Sequence, residues 1–140
     1  MPRISPYLGF RDDAREALGF YHSVLGGQLT LSTFAEFGTG AGTPVGDLVM
    51  HGQLETDDGL VLQGADTPPE MQYEDGARVT VSLFGSADEA DSLRERFAGL
   101  SEGGTVWQPL DTAPWGDEFG MFEDRFGIRW MVNVQGRRDQ

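Results

Sequence analysis

The sequence predicts an α+β fold in which a β-α-β-β-β unit occurs twice. Two helix-start signals, at Asp13 and Ser86, lie 73 positions apart, which is about half of the 140 residues. Each signal is preceded by one strand-like run and followed by an apolar stripe of helical spacing and three further strand-like runs. Because neither half buries enough surface to be stable alone, we expect one domain over residues 1–140. Module one covers about residues 1–66, and module two covers about residues 77–135.

In the first half, the run 4–10 predicts a strand and Asp13 predicts the start of a helix. Asp13 can accept a hydrogen bond from the first free N–H groups while Glu16 reaches back, which is the capping-box pattern. The helix should end at Gly26-Gly27. Its apolar stripe consists of Ala17, Phe20, Tyr21, Val24 and Leu25. Three strands should follow, at residues 28–37, 47–55 and 60–64.

In the second half, the run 78–84 predicts a strand, and Ser86 with Glu89 forms a second capping box. Ala90, Leu93, Phe97 and Leu100 then recur at helical spacing. Three strands should follow, at residues 105–108, 119–124 and 128–134. Between the last two, acidic side chains can bond their own backbone, and Gly127 can take a positive φ. Residues 67–76, with two prolines, should link the modules.

Composition removes several classes of function. The formal charge is −13, which repels polyanions, so we expect no nucleic-acid partner. The chain has no cysteine and no lysine, which excludes thiolate, disulfide, Fe–S and Schiff-base chemistry. No apolar run approaches the roughly 18 residues of a membrane span, and residues 1–6 lack the apolar core of a signal peptide. We therefore expect a cytoplasmic protein without a membrane partner.

A glycine-rich segment follows the second predicted strand. Glu36-Phe-Gly-Thr-Gly-Ala-Gly42 resembles the way in which many methyltransferases hold S-adenosylmethionine. In those enzymes the glycines open a helix in a parallel α/β sheet, but here they lead into residues 43–47, which have no helical period. We interpret the segment as a mobile connection and a candidate lid, without this cofactor.

Several motifs resemble one family. They are Asp13-x-x-x-Ala17-x-x-Phe20-Tyr21, Ser5-Pro6-Tyr7, Val49-Met-His51, Trp115-Gly116 and the closing Asp124-Arg-Phe-Gly127. With the paired modules, they resemble the vicinal oxygen chelate, or glyoxalase/bleomycin-resistance, superfamily, and more narrowly its PhnB-like branch. The resemblance implies curved mixed sheets around a cavity, a homodimer and a small-molecule ligand. It does not imply one reaction, because the superfamily includes enzymes and non-catalytic binding proteins.

Metal-using members carry His, Glu or Gln ligands on the first and last strands of each module. Transferring these positions one at a time gives Pro6 or Tyr7, then Gln63, Arg78 and Met131. Only Gln63 could ligate a hard divalent ion, and an arginine would oppose the charge of the ion. We therefore expect no metal site of the usual kind and no other cofactor.

His51 is the candidate catalytic residue. It alternates with Val49, Gln53 and Glu55, so all four should share one face of a strand. If that face lines the cavity, His51 can act as a general base. The alternative is a structural histidine that is hydrogen-bonded to Gln53 or to a neighbouring strand. His22 lies off the apolar stripe of the first helix and should be exposed to solvent.

Alternation along the last strand predicts a ligand-binding wall. Ile128, Trp130, Val132 and Val134 should face the core, whereas Arg129, Met131 and Asn133 should face the pocket. The predicted ligand-binding residues, which would make an amphipathic pocket, are Gln63, Arg78, Trp115, Phe122, Met131 and Asn133.

Two functions remain open. One is a protein that binds or carries a small molecule without the usual metal. The other is a lyase, isomerase or transferase type of enzyme that uses His51 as acid and base, or a non-standard divalent metal site.

Overall fold

The computed structural model describes residues 3–69 and 79–136. The chain divides into two compact units, Met1–Asp75 and Gly76–Gln140, and each contains one β-α-β-β-β module. The α+β fold with two tandem modules is therefore confirmed. Both sheets are four-stranded and open. Residues 70–76 of the predicted linker lie outside the described residues. The predicted ligand-binding residue Arg78 also lies outside them.

The first unit is a mixed sheet with one helix on one face. Its strands have the order β1-β4-β3-β2, in which β1 and β4 are parallel and the other neighbours are antiparallel. Leu18 and Tyr21 of the helix are fully buried against the sheet. Gly52 lies under Leu18, where a Cβ atom would collide with the leucine side chain. The elements are β1 (Tyr7–Phe10), α1 (Ala14–Leu25), β2 (Gln28–Thr33), β3 (Val49–Glu55) and β4 (Val61–Asp66).

The second unit repeats this arrangement with the order β5-β8-β7-β6, and β5 runs parallel to β8. Its core is formed by the buried face of β8 and by the apolar stripe of the helix. Trp130, Val132 and Val134 are at most 2% exposed, as alternation predicts. The elements are β5 (Val81–Gly85), α2 (Ala90–Ser101), β6 (Thr105–Thr112), β7 (Glu118–Glu123) and β8 (Arg129–Val134).

The two helix starts differ. The predicted capping box of Ser86 and Glu89 is present, at a short 3₁₀ turn that leads into α2. The predicted box at Asp13 is wrong, because the Asp13 side chain makes no capping hydrogen bond. The N–H of Ala14 donates instead to Oδ1 of Asp66 on β4, at 2.8 Å. A carboxylate from the sheet thus caps the first helix.

The β7–β8 turn forms as predicted, and one carboxylate organises it. Asp124 is 3% exposed, and its Oδ1 accepts hydrogen bonds from the backbone N–H groups of Phe126 and Ile128. Its Oδ2 accepts from Nε1 of Trp130 at 2.9 Å. Gly127 has a φ of 86°, which favours glycine. Asp124 therefore joins the turn to the buried tryptophan.

In residues 3–69 and 79–136, neither α1 nor α2 combines the length and hydropathy that a membrane-spanning helix requires.

Candidate functional site

A bulge in β3 decides which way His51 points. Ser32 of β2 pairs with His51, and Thr33 pairs with Val49, so Met50 is an extra residue on β3. Val49 is consequently fully buried, while His51 lies half-buried on the opposite face of the sheet. The prediction that Val49 shares a face with His51 is wrong, because the extra residue reverses the alternation at this point.

Asp66 anchors the chain beside this bulge. Its Oδ2 accepts a hydrogen bond from the backbone N–H of Val49 at 2.9 Å, and its Oδ1 accepts from Ala14 at 2.8 Å. The residue is 6% exposed. Because a buried carboxylate needs hydrogen-bond donors, these two N–H groups stabilise its charge. One side chain thus connects α1, β4 and the start of β3, two residues before His51.

The face of this sheet that points away from α1 carries a row of uncharged polar side chains. Tyr7, Gln63, Gln53 and Thr30 are successive cross-strand neighbours on β1, β4, β3 and β2. Nε2 of Gln63 donates to Oε1 of Gln53 at 2.9 Å. We call this surface, together with His51, the first-unit open face. The predicted ligand-binding residue Gln63 lies in the middle of it.

Tyr7 and His51 form a hydrogen-bonded pair on the first-unit open face. The Tyr7 hydroxyl lies 3.3 Å from Nδ1 of His51, and the ring centroids are 5.9 Å apart. Tyr7 is 55% exposed. The bond to a tyrosine from β1 replaces the predicted structural bond to Gln53 or to a neighbouring strand. An imidazole has two ring nitrogens, and Nε2 of His51 makes no hydrogen bond within residues 3–69 and 79–136.

A shallow groove of about 220 Å³ runs beside His51 on this face. It is lined by side chains of β2 and β3 only. At its end, Glu55 accepts a hydrogen bond from Arg3 at 2.9 Å, and both of these side chains are about half exposed. The lining residues are Gln28, Thr30, His51, Gln53 and Glu55.

The corresponding face of the second unit is apolar and aromatic. Met131 pairs with Ser82 on one side and Met121 on the other. Nδ2 of Asn133 donates to Oδ2 of Asp117 at 3.2 Å, which fixes the amide. Trp115 is 60% exposed and lies edge-on to the ring of Phe119, with centroids 6.1 Å apart. We call this surface, with the Arg129 guanidinium 5.0 Å from the Trp107 ring, the second-unit open face.

Phe122 lies elsewhere. It is fully buried on the helix side of β7, where its ring stacks on Trp130 and meets Phe97 edge-on at 5.0 Å. Its cross-strand partner is Trp130, which belongs to the core set. Of the predicted ligand-binding residues, Met131, Asn133 and Trp115 therefore share the second-unit open face, whereas Phe122 is a core residue.

The transferred metal-ligand positions that the structure describes include Tyr7, Gln63 and Met131, and these three do not fit a hard divalent ion. Tyr7 and Gln63 are direct cross-strand partners, but the first binds His51 and the second binds Gln53. Met131 offers a thioether, which is a soft ligand. Within residues 3–69 and 79–136, no group of three or more His, Asp or Glu side chains is placed to hold a metal ion.

The glycine-rich segment forms two short 3₁₀ turns, Ala35–Phe37 and Pro44–Asp47, and not the helix of a cofactor site. Gly46 is buried, and a Cβ atom there would collide with the carbonyl of Gly40. The segment is therefore closely packed against itself.

His22 is half-buried, and its Nε2 donates to the carbonyl oxygen of Gly27 at 3.0 Å, so the expected exposure is wrong.

Comparison with known proteins supports the fold. The model of the Glyoxalase/Bleomycin resistance protein/Dioxygenase superfamily matches residues 3–132. Protein YjdN of Escherichia coli (strain K12) is 22% identical, over 94% of each chain. The solved structure of protein PA1353 from Pseudomonas aeruginosa is 35% identical, with a TM-score of 0.84 over 98% of this chain and all of that one.

A PhnB protein from Bacillus cereus, described as a putative 3-demethylubiquinone-9 3-methyltransferase, is 21% identical, with a TM-score of 0.73 over 96% of this chain and all of that one. At this identity the likeness shows the fold, and it places a PhnB-like protein among the structural neighbours. The family match, by contrast, extends over nearly the whole sequence and both modules. The chain belongs to the glyoxalase/bleomycin resistance/dioxygenase superfamily.

Proposed function

We propose that this chain binds a small molecule on the first-unit open face, without the metal site that metal-using members of the superfamily carry. One observation carries the proposal: uncharged hydrogen-bonding side chains cross the whole sheet in register, from Tyr7 through Gln63 and Gln53 to Thr30. Ligand sites orient their ligands with a few fixed polar groups of this kind.

The fixed geometry of this face supports the proposal further. The Gln63–Gln53 and Tyr7–His51 hydrogen bonds hold four side chains in place before a ligand arrives. Side chains that are already ordered lose less conformational entropy when a ligand binds, which favours affinity. The groove of about 220 Å³ offers room for a molecule smaller than a typical drug.

We propose that the second-unit open face is a ligand surface of a different character. Trp115 and Met131 offer apolar contact, and Asn133, held by Asp117, offers an amide. Contiguous exposed apolar patches mark binding surfaces, and on this face Trp115 packs edge-on against Phe119. Phe122 is not part of this proposal, because its ring is buried in the core.

A ligand-observed NMR screen of a fragment library tests the proposed function. We expect hits for the wild type, and we expect the double variant Gln53→Leu/Gln63→Leu to lose most of them, because both polar anchors are removed. Gln135→Leu is the matched control, since Gln135 is exposed and lies outside both open faces. If the double variant and the control bind the same fragments as the wild type, the first-unit open face is not the site.

The second candidate function is an enzyme that uses His51 as acid and base. The observation that favours it is the Tyr7–His51 hydrogen bond, which aims one ring nitrogen at a tyrosine and leaves the other on an open surface. Lyase, isomerase and transferase assays with the wild type and His51→Ala distinguish the two functions. Turnover that is lost in His51→Ala would replace the binding proposal by the catalytic one.

We also propose a homodimer, as is common in the superfamily. Strand β6 supports this proposal, because it is the edge of its sheet and exposes Val106 and Trp107, which are 44% and 46% accessible. Light scattering after size exclusion should give twice the monomer mass of 15.3 kDa. A cytoplasmic location and the absence of a nucleic-acid partner stay predictions, the latter supported by the charge of −13.

A further inference from the structure

We infer that the groove beside β3 takes a neutral carbonyl compound, such as a carboxamide, whose oxygen accepts hydrogen bonds from His51 and Gln53. The inference rests on the proposed function and names its ligand class. Some hydrogen-bonding groups of the first-unit open face are already paired within the protein, whereas others line the groove. The groups that line the groove determine which ligand class fits.

The tyrosine determines which nitrogen of His51 carries the proton. Tyr7 Oη lies 3.3 Å from Nδ1 of His51. A phenol hydroxyl is a good donor, and the unprotonated nitrogen of a neutral imidazole is a good acceptor, so the favoured arrangement has Tyr7 donating to Nδ1. The ring proton then resides on Nε2. Tyr7 is thus a positioning residue, and His51 presents an N–H donor to the groove instead of a basic lone pair.

Gln53 presents a second donor. Its Oε1 already accepts a hydrogen bond from Nε2 of Gln63. Its own amide nitrogen donates to no group in the described part of the chain. Gln53 and His51 are alternate residues of β3, so their side chains leave the same face about 7 Å apart. Both line the same groove. A carbonyl oxygen has two lone pairs and can accept from two such donors.

The charges around the groove favour a neutral ligand over an anion. Glu55 lines the groove, and the nearby Arg3 is already paired with it. The chain as a whole carries −13, which repels carboxylates and phosphates. A cation could pair with Glu55, but the N–H donors of His51 and Gln53 would oppose its positive charge. A neutral acceptor meets neither difficulty.

Three probes of matched size and different charge test the ligand class: benzamide, benzoate and benzylamine. NMR would follow the Gln53 side-chain NH₂ and the His51 ring during titration of each probe. We expect benzamide to shift both groups and to bind at least tenfold more tightly than benzoate or benzylamine. If benzoate or benzylamine binds more tightly than benzamide, or if no probe shifts these groups, the inferred ligand class is wrong.

Gln53→Glu is the sharpest variant, because a carboxylate keeps the acceptor for Gln63 but removes the N–H donors. We expect benzamide affinity to fall at least tenfold in Gln53→Glu and to change less than twofold in the control Gln135→Glu. Equal affinities for both variants would overturn the inference. The fragment screen with Gln53→Leu/Gln63→Leu distinguishes failure of the ligand class from failure of the proposed binding site. If the double variant loses the fragment hits but the wild type shows no preference for benzamide, the binding site stands and the ligand class is wrong.

The ¹⁵N shifts of the His51 ring, recorded for its neutral form, test the role of Tyr7. We expect the Nε2–H tautomer in the wild type and a mixture of tautomers in Tyr7→Phe, with weaker benzamide binding. A merely structural tyrosine would leave the tautomer unchanged. The Nδ1–H tautomer in the wild type would contradict the inference directly, because His51 would then offer an acceptor to the groove.

Discussion

Replacing Asp66 by asparagine should destabilise the first unit and disturb His51, which lies beyond the direct reach of Asp66. The two carboxylate oxygens accept the N–H groups of Ala14 and Val49 at 2.8 and 2.9 Å, and the residue is 6% exposed. An asparagine has the same shape but only one oxygen, so its NH₂ group must oppose one of these two N–H donors.

The magnitude follows from the two bonds. A hydrogen bond to a charged group contributes about 1.5–3 kcal/mol, and a buried donor that is left unsatisfied costs about 1–3 kcal/mol. The remaining bond is weakened too, because a neutral amide oxygen replaces a carboxylate. We therefore expect Asp66→Asn to lower the free energy of unfolding by about 2–4 kcal/mol.

Urea denaturation followed by fluorescence measures this loss, with Asp57→Asn as the control. Asp57 is an exposed carboxylate in the β3–β4 connection, and its substitution should change stability by less than about 0.5 kcal/mol. In the folded Asp66→Asn variant, the amide signals of Val49 and His51 should also shift, since the bulge loses its anchor. If Asp66→Asn is as stable as Asp57→Asn, Asp66 does not hold the bulge and the reasoning fails.

Three further predictions concern stability. Burial raises the pKa of Asp13 above its ordinary value of 3.8, and neighbouring carboxylates add to this effect. The folded state then binds the proton more tightly than the unfolded state, so stability falls as the pH rises from the unfolded pKa to the folded pKa of Asp13. Asp13→Asn should therefore be more stable than the wild type at pH 7, but not below pH 3.8, where the carboxyl is protonated in both states. Thermal melts at the two pH values measure this difference. Phe122→Ala should cost about 3–5 kcal/mol in urea denaturation because its ring is fully buried, whereas Phe84→Ala, at 67% exposure, should cost less than about 1 kcal/mol; similar losses for the two would remove Phe122 from the core. Gly120→Ala should lower the melting temperature, since the new Cβ would lie 2.9 Å from the backbone of Leu110, and an unchanged melting temperature would mean that β6 can move away.

Most elements of the fold could be predicted because they depend on local patterns. The apolar stripe of α2, the box at Ser86 and the turn at Asp124 all depend on residues within a few positions of each other. In α1 the agreement is partial, because only Ala17 and Tyr21 of the predicted stripe are buried and Leu18 takes a core position. The predictions from the sequence are wrong where contacts between distant residues determine the local structure. The pattern at Asp13 favours self-capping, but Asp66, 53 positions later, takes the N–H of Ala14.

The ends of two strands also differ from the predictions made from local sequence patterns. The sequence predicts that the strand after Gly104 stops at Gln108, before Pro109, but β6 continues to Thr112. An edge strand tolerates proline, because one side of it has no neighbour to receive an N–H. The predicted strand 28–37 ends at Thr33, where the chain enters a 3₁₀ turn.

The candidate site was predictable only in part. Alternation and family resemblance predict His51, Gln63, Met131 and Asn133 as site residues. The extra residue at Met50, which turns His51 to the opposite face from Val49, has no signature in composition or period. The bond between Tyr7 and His51 joins strands that are 44 positions apart, so no local signal reveals it.

Other site residues did leave a signal. Gln53 could have been chosen, because it alternates with His51 and Glu55. The core position of Phe122 could also have been found by phasing β7 against β8, which pairs it with Trp130.

The most direct test of the proposed binding site is a residue-level map of where the screened fragments bind. Fragment hits would be titrated into ¹⁵N-labelled protein with assigned backbone and side-chain amides. We predict that the largest shifts cluster on Tyr7, His51, Gln53 and Gln63, on the side of the first sheet away from α1. Hits whose shifts leave the first-unit open face unchanged, wherever else they map, would contradict this prediction.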